Sequence, residues 1–368
     1  MNEITKSGVN TAIRKRKPPA MVPQSRQYDL FADFFGDAGE LSNTIELWDA
    51  IPKYAVTARR QSAMRDEKGR LRLHEHEFVY KDRTCRLVIQ PASFRVGGQY
   101  TDFYPSVDEE LVEEVIRKFF ANQNYGLHNA PAAESWVRFS LQMIRKELKA
   151  RGKTRSMDEI KRSIEILANT TIRIFVDDDE TPVYTNPILS DLTRVNRQTY
   201  LDDASVMWVA RLPALISKSV NDLSYRQFNY GTFMALSSQL ARWLHKRLSH
   251  QYVNAGFMHD YGVLFSTISR DSGLLAANRI TKNRASLESA LDELKACEVL
   301  MDWTCEVRRG AHNRIDDVLY TLKAHQTFIR DVKSANARQR DGKAAVGGYS
   351  PPGGRRRGPN VIGGEDNR

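Results

Sequence analysis

The order of predicted elements constrains the fold of this chain more than any other feature, because the same order occurs twice. In the first copy, three predicted helices precede a β-hairpin. Two of these helices begin with the S-x-x-E capping box, at Ser106 and Ser156, and the helix between them spans about residues 135–151. The β-branched run at residues 171–176, which ends at three aspartates, predicts the first strand of the hairpin.

The second copy repeats this order with stronger patterning. Amphipathic helices are predicted at residues 232–252 and 282–297, with a short helix at 265–272 between them. Strand patterns at 299–307 and 317–322 then predict a long hairpin. Three helices followed by a hairpin are typical of the winged helix, whose third helix can enter the DNA major groove. The sequence therefore predicts an α+β fold with two tandem winged-helix domains, each a helix-turn-helix plus a β-hairpin wing.

Composition suggests where these domains begin and end. Residues 1–69 are predicted to be a basic tail and an irregular arm, and residues 334–368 a disordered Gly/Arg-rich tail. The first winged-helix domain is predicted at 70–220, including a strand pair that precedes its helices. The second winged-helix domain is predicted at 221–333.

The net charge of the 368-residue chain is +10, but its distribution matters more than its size. The first twenty residues contain five basic residues and one acidic residue, and residues 334–368 contain seven and three. The remaining body therefore has a net charge of only +2. The total charge cannot establish nucleic-acid binding, so that inference must rest on clusters of basic residues within the body.

Several classes of protein are not expected from this sequence. No stretch approaches the roughly 18 uncharged apolar residues of a membrane-spanning helix. The basic N-terminal run has no apolar signal-peptide core behind it. Three cysteines are too few for a disulfide framework, which suits a reducing compartment. A cytoplasmic protein with no membrane partner is the expectation.

Candidate DNA-binding residues cluster at the start of the third helix of the second copy. Basic residues there oppose the usual order, in which acids occupy the first turn of a helix and bases the last. Arginine can bind guanine edges and asparagine adenine edges in bidentate fashion. The predicted base-reading residues are Arg279, Lys282, Asn283, Arg284 and Ser286, and the predicted wing contacts are Arg308, Arg309 and Arg314.

The first copy has its own group of basic residues near its third helix. This group predicts contact with DNA phosphates, which would set the register of the protein on the duplex. Dimerisation remains an open alternative for this domain. The predicted phosphate-contacting residues are Lys149, Lys153, Arg155, Lys161 and Arg162.

Signals for catalysis are weaker. His74 and His76 lie at i, i+2 on a predicted strand, as in the paired-histidine metal site of rolling-circle nickases, and Tyr320 could supply the tyrosine. The residue between the histidines is Glu75, where an apolar residue is usual. The cysteines and histidines lack zinc-finger spacing. The sequence therefore predicts no enzyme, no metal site and no cofactor.

Two stretches resemble a known family, the plasmid replication initiator (Rep) proteins of the tandem winged-helix, iteron-binding type. Residues 211–220 and 235–248 resemble the inter-domain segment and the first helix of the C-terminal winged helix in such initiators. The resemblance covers about residues 71–325, from which Asp316 and Asp317 after the wing tip depart. It implies binding to direct repeats of an origin in double-stranded DNA, local melting, and recruitment of host helicase and initiator proteins. It also implies a monomer–dimer equilibrium.

Two alternatives remain open. A winged-helix transcriptional repressor would use the same two domains but would bind a palindromic operator instead of tandem repeats. A rolling-circle-type nickase would use His74, His76 and Tyr320 and would form a metal-dependent covalent adduct with DNA.

Overall fold

A computed structural model describes residues 41–122, 124–194, 206–275, 280–311 and 314–345. Most of the two predicted tails lies outside the described residues. The helices are α1 (Glu46–Ala50), α2 (Ala58–Met64), α3 (Val107–Phe120), α4 (Leu141–Ala150), α5 (Met157–Asn169), α6 (Ala214–Asn221), α7 (Tyr230–Ala235), α8 (Gln239–Gln251), α9 (Phe265–Ser272), α10 (Ile280–Ala296) and α11 (Gln326–Ala345). The strands are β1 (Leu41–Thr44), β2 (His74–Tyr80), β3 (Arg83–Gln90), β4 (Ala92–Val96), β5 (Gln99–Phe103), β6 (Gly126–Asn129), β7 (Glu134–Ser140), β8 (Thr171–Val176), β9 (Tyr184–Pro187), β10 (Ser190–Arg194), β11 (Met207–Arg211), β12 (Arg226–Asn229), β13 (Tyr261–Leu264), β14 (Leu300–Arg309) and β15 (Ile315–Ala324).

The first unit is built around α3 and has antiparallel sheets on its sides. The capping boxes predicted at Ser106 and Ser156 are both present, and they begin α3 and α5. One sheet has the strand order β2-β3-β8-β9 and another has the order β10-β11-β7-β6. Helix α3 packs against α4, α5 and β7, so its apolar side is buried in the core of the unit.

The helix predicted over residues 135–151 is wrong in its first half. Residues 134–140 form β7, which pairs with β11 on one side and β6 on the other. Trp136 and Phe139 therefore belong to a strand, and the helix begins only after Ser140, whose hydroxyl accepts a hydrogen bond from the amide of Met143. Pairing on both edges determined the structure where the apolar residues also fitted a helical period.

The second unit follows the order α8-β13-α9-α10-β14-β15, and its sheet has the order β13-β15-β14. The single helix predicted over residues 232–252 is interrupted, because α7 ends before Leu236 and α8 begins after Ser238. The Ser238 hydroxyl accepts a hydrogen bond from the amide of Ala241, which provides α8 with its own N-cap. Both units thus combine helices with antiparallel sheets in a mixed α/β architecture.

Helix α11 extends into the segment predicted to be a tail from Ser334 onward. It buries Phe328, Ile329 and Val332 against the second unit, buries Ala335 beside Tyr225 and Gln227, and continues to Ala345. The spacing of these four residues is that of one helical face. The Gly- and Pro-rich stretch that suggested disorder, residues 347–359, lies outside the described residues.

The arm that precedes the first unit is also structured within the described residues. Strand β1 pairs with β12, which lies between the two units in sequence, and α1 buries Trp48 completely. The Trp48 indole donates a hydrogen bond to the Glu113 carboxylate at 2.5 Å. The arm thereby joins the core of the first unit.

Buried charges join the two units along α3 and α8, in a cluster that we call the ionic bridge. Its members are Asp49, Glu110, Glu114, Arg117, Arg242 and Lys246. Arg242 pairs with Glu110 at 2.8 Å, and Lys246 pairs with Glu114 at 2.5 Å. Burial alone would raise the pKa of Asp49, but the neighbouring Arg117 and Lys246 hold that pKa well below its ordinary value.

Over the described ranges, no helix combines the length and the apolar composition that crossing a membrane requires.

Candidate nucleic-acid interface

Helix α10 has one buried face and one exposed face. Its buried face contains Leu287, Leu291 and Leu294 and packs against α8 and β14. The opposite face is small and polar, apart from one lysine. The exposed residues of this face are Thr281, Lys282, Ala285, Ser286 and Ser289.

Lys282 and Ser286 are the two predicted base-reading residues that lie on this exposed face. They are one helical turn apart, and the Ser286 hydroxyl donates a hydrogen bond to the Lys282 carbonyl oxygen at 3.1 Å. Thr281 and Ser289 share the face but were not selected from the sequence. Thr281 lies one residue before Lys282, and Ser289 lies three residues after Ser286. Helical spacing could therefore have indicated both as members of this face.

Two other predicted residues of α10 do not suit a base contact. Asn283 is only 7% exposed, because it shares the buried face with Leu287 four residues later. Arg284 is turned toward the sheet, where it pairs with Glu288 at 3.1 Å. The Tyr320 hydroxyl donates a hydrogen bond to the same carboxylate at 3.1 Å. Arg279 lies outside the described residues.

Strands β14 and β15 form a long hairpin beside α10. Arg308, Arg309 and Arg314 are all exposed around its tip, as the sequence predicted. Asp317, directly opposite Arg308, is engaged elsewhere, since its carboxylate accepts hydrogen bonds from the amide and hydroxyl of Ser266 at the start of α9. Asp317 therefore serves a structural contact within the unit, whereas Asp316 is exposed near the tip.

Two side-chain contacts fix the hairpin relative to α10. The Trp303 indole donates a hydrogen bond to Asp292 at 2.9 Å, and Lys295 pairs with Asp302 at 2.9 Å. Both contacts are on the C-terminal half of the helix. They leave the exposed polar face of its N-terminal half uncovered by the hairpin.

The predicted basic residues of the first unit divide into two groups. Lys149 on α4 and Arg162 on α5 are exposed, while Lys161 is half-buried. Lys153 instead donates a hydrogen bond to the Leu236 carbonyl oxygen at 3.0 Å, and Arg155 pairs with Asp108 at 2.6 Å. Burial lowers the pKa of Lys153, and the nearby Arg242 lowers it further. Lys153 and Arg155 hold parts of the protein together, so their positions are less suited to DNA contact.

The residues of the nickase alternative lie in two different units. The buried ring of His74 has a pKa lowered to about 4, chiefly by burial, and Arg60 and His76 lower it further. The Nε2 atom of His76 lies 2.6 Å from the Arg270 carbonyl oxygen. Tyr320 is completely buried against the core. Across the described part of the chain, no group of three or more His, Cys, Asp or Glu side chains is arranged to hold a metal ion.

Comparison with protein-family models finds no match, and comparison with curated proteins also finds none. Among solved structures, the chain is similar to domains 2 and 3 of RctB, with 10% identity and a TM-score of 0.43 over 75% of this chain and 99% of that one. A second structure of RctB domains 2–3 gives 10% identity and a TM-score of 0.41, over 76% and 98%. The Pi initiator protein in complex with iteron DNA gives 11% identity and a TM-score of 0.41, over 60% and 95%. The Pi initiator protein is thus among the solved structures to which this chain is similar.

Proposed function

We propose that the chain is a sequence-specific, double-stranded-DNA-binding initiator of plasmid replication. The observation that carries this proposal is the exposed polar face of α10, which lies beside a hairpin with three exposed arginines at its tip. A helix that presents small polar side chains and a lysine can approach base edges closely. The flanking arginines can neutralise phosphates on either side.

The topology supports winged-helix assignments for both units. In the second unit, β13 precedes α9 and pairs with β15, so that α9 and α10 form the helix-turn-helix and β14–β15 the wing. In the first unit, α3, α4 and α5 precede the hairpin β8–β9 in the same order. Helix α10 is then the recognition helix of the second unit.

We assign different roles to the two units. The second unit reads bases through Lys282 and Ser286, and Arg308, Arg309 and Arg314 contact the backbone. In the first unit, the exposed Lys149 and Arg162 contact phosphates, or the unit mediates dimerisation in a monomer–dimer equilibrium. We do not assign direct DNA contacts to Asn283, Arg284, Lys153 and Arg155. Asn283 is buried, and each of the other three has a partner within the protein.

The resemblance to Rep proteins supplies the remaining parts of the proposal. Binding to direct repeats of an origin would precede local melting of the DNA and recruitment of host helicase and initiator proteins. These steps would take place in the cytoplasm and would need no cofactor of this chain.

The test begins with a duplex selected by the full-length protein from a randomised pool. Tandem copies of one motif in the selected DNA support an initiator, whereas an inverted repeat supports the repressor alternative. The double variant Lys282→Ala/Ser286→Ala should bind the selected duplex about 10- to 100-fold more weakly, since each good base contact contributes roughly 1–3 kcal/mol of discrimination. Binding to random duplex should change much less.

The matched control is Lys333→Ala, which removes an exposed lysine from α11, away from α10 and its hairpin. This variant should bind both duplexes nearly as the wild type does. Equal losses of the double variant on selected and random DNA would show that α10 does not read bases.

A further inference from the structure

We infer that a second basic surface, formed by α2, the loop after it and the ribbon β4–β5, binds the phosphate backbone of the duplex that α10 reads. We call it the arm surface and define it as residues 58–73 and 92–103. The inference rests on the proposed DNA binding by α10 and extends it to a part of the chain outside both helix-turn-helix segments.

The charge of the arm surface is unusual for this chain. Residues 58–73 contain six basic residues and only two acidic ones. Their net charge of +4 exceeds that of the whole body between the tails, so the rest of the body is slightly acidic. Such a local concentration attracts polyanions even when the surrounding protein is nearly neutral.

Two of the three acidic side chains of this surface, those of Asp66 and Asp102, are occupied by the protein itself, and the third, Glu67, is exposed. The Asp66 carboxylate accepts hydrogen bonds from the backbone amides of Lys68 and Arg70, which closes the loop after α2. Asp102 is buried, where it accepts a hydrogen bond from the amide of Leu71 and lies 3.4 Å from Arg70. Neither carboxylate pairs with Arg59, Arg60 or Arg72.

Three arginines of the arm surface are left for a partner. Arg59, Arg60 and Arg72 are exposed, and their guanidinium groups form no hydrogen bond or ion pair with any described residue. A guanidinium group binds phosphate oxygens in bidentate fashion and stays charged at all relevant pH values. Unpaired arginines grouped in this way match the chemistry of a phosphodiester backbone.

The ribbon is held firmly against this basic segment. Phe94 and Phe103 stack on one face of the ribbon with ring centroids 4.9 Å apart, and the Arg65 guanidinium lies 4.8 Å from the Phe103 ring centroid. On the other face, Arg95 and Tyr100 are cross-strand partners near the tip, and Tyr100 is 60% exposed. The ribbon therefore presents an arginine and an aromatic side chain outward from a fixed base.

The segment directly before the arm surface contacts the end of α9. A Cβ atom added to Gly273, which ends α9, would lie 3.0 Å from the Cβ atom of Ala55, three residues before α2 begins. It would also lie 3.2 Å from the ring of His76 on β2. Ala55 lies three residues before the arm surface, and Gly273 lies seven residues before α10, so the arm surface adjoins the segment that contacts the end of α9.

The experiment compares two triple variants of the full chain that remove the same charge. The test variant is Arg59→Gln/Arg60→Gln/Arg72→Gln. The control variant is Lys218→Gln/Arg330→Gln/Lys333→Gln, which neutralises exposed bases on α6 and α11. Affinity for the selected duplex, a random duplex and a single strand is measured as a function of salt concentration. Matching melting temperatures establish that each variant is folded.

The test variant should lose affinity for both duplexes by the same factor and keep its preference between them. The slope of log affinity against log salt should fall by about 0.9 for each lost phosphate contact, or about 2.7 for three. The control variant should change the slope much less. A slope equal to that of the control, or a loss confined to the single strand, would overturn the inference.

These outcomes are separable from those of the α10 experiment. If the arm variant behaves like its control while Lys282→Ala/Ser286→Ala loses site preference, the arm inference fails and the proposed function stands. If the α10 variant keeps its site preference, the base-reading assignment fails, whatever the salt slope of the arm variant.

Discussion

At the scale of single residues, the position of each side chain around the axis of α10 decides which base-reading candidates are exposed and which are buried. The sequence correctly indicated a polar, basic start for α10, but it did not separate Ser286 from Asn283. The apolar positions Leu287, Leu291 and Leu294 define the buried stripe, and Asn283 precedes the first of them by one turn. Its burial was therefore predictable from spacing. The partner of Lys153 was not, because the Leu236 carbonyl lies 83 positions away in sequence.

A residue-scale prediction concerns His245, which is buried between Phe228 and Phe328, with ring centroids 5.8 and 6.3 Å away. Burial, together with the smaller effect of the neighbouring Lys246, lowers its pKa to about 3. The unfolded chain, with a histidine pKa near 6.5, binds the proton more readily. The neutral ring therefore contributes fully to the free energy of unfolding above about pH 6.5. This contribution falls as the pH decreases toward 3, by up to ~1.4 kcal/mol per pH unit.

We expect His245→Leu to reduce the decrease in melting temperature between pH 7 and pH 4.5. The measurement is thermal unfolding followed by circular dichroism across that range. His250 also has a pKa lowered to about 3 by burial, so part of the pH dependence should remain in the variant. An unchanged pH profile would mean that protonation of His245 does not contribute to acid unfolding.

At the scale of elements, the sequence predicted most helices of the two units and the long hairpin, but it missed the structured arm, the ribbon β4–β5, helix α11 and two interruptions. Residues 135–140 fit a helical period locally, yet strand pairing with β6 and β11 determines their conformation. The break between α7 and α8 depends on Glu293, which is 55 positions from Ser238 in sequence. Its carboxylate accepts hydrogen bonds from the hydroxyl of Ser237 at 2.6 Å and the amide of Ser238 at 3.0 Å. No local pattern reveals a cap that comes from another helix.

The element-scale prediction follows from this cap. Glu293→Ala removes the acceptor for the amides at the start of α8 and should lower the free energy of unfolding by about 1–3 kcal/mol. Urea titration measures the change. The control Glu306→Ala, at an exposed position on β14, should change it by less than about 0.5 kcal/mol. Equal effects of the two substitutions would argue against the capping role.

At the scale of the whole molecule, the two units are joined by charges as well as by the chain. Glu110 and Glu114 on α3 have the same i, i+4 spacing as Arg242 and Lys246 on α8, so that two acids meet two bases. The tandem order of units was predictable from the sequence. Their docking was not, because the paired residues are 132 positions apart and each helix alone looks like an ordinary charged surface.

The prediction at this scale is that Lys246→Met destabilises the protein strongly. The substitution leaves Asp49 and Glu114 buried without one of their counter-charges, which costs about 3–5 kcal/mol. Calorimetry should show a lower melting temperature and less cooperative unfolding of the two units. Lys146→Met, at an exposed position on α4, is the matched control. A loss below about 1 kcal/mol would show that the ionic bridge contributes little to the docking.

Strand β12, which connects the units, is contacted by parts of the chain that are synthesised at very different times. Strand β1 pairs with it from the N-terminal side. From α11, Asn336 accepts a hydrogen bond from Arg226, and Arg338 donates one to Gln227, across 110 and 111 positions of sequence. A nascent chain therefore has the first unit and its connecting strand long before it has the helix that completes their packing. The relative placement of the two units becomes fixed only after α11 has been synthesised.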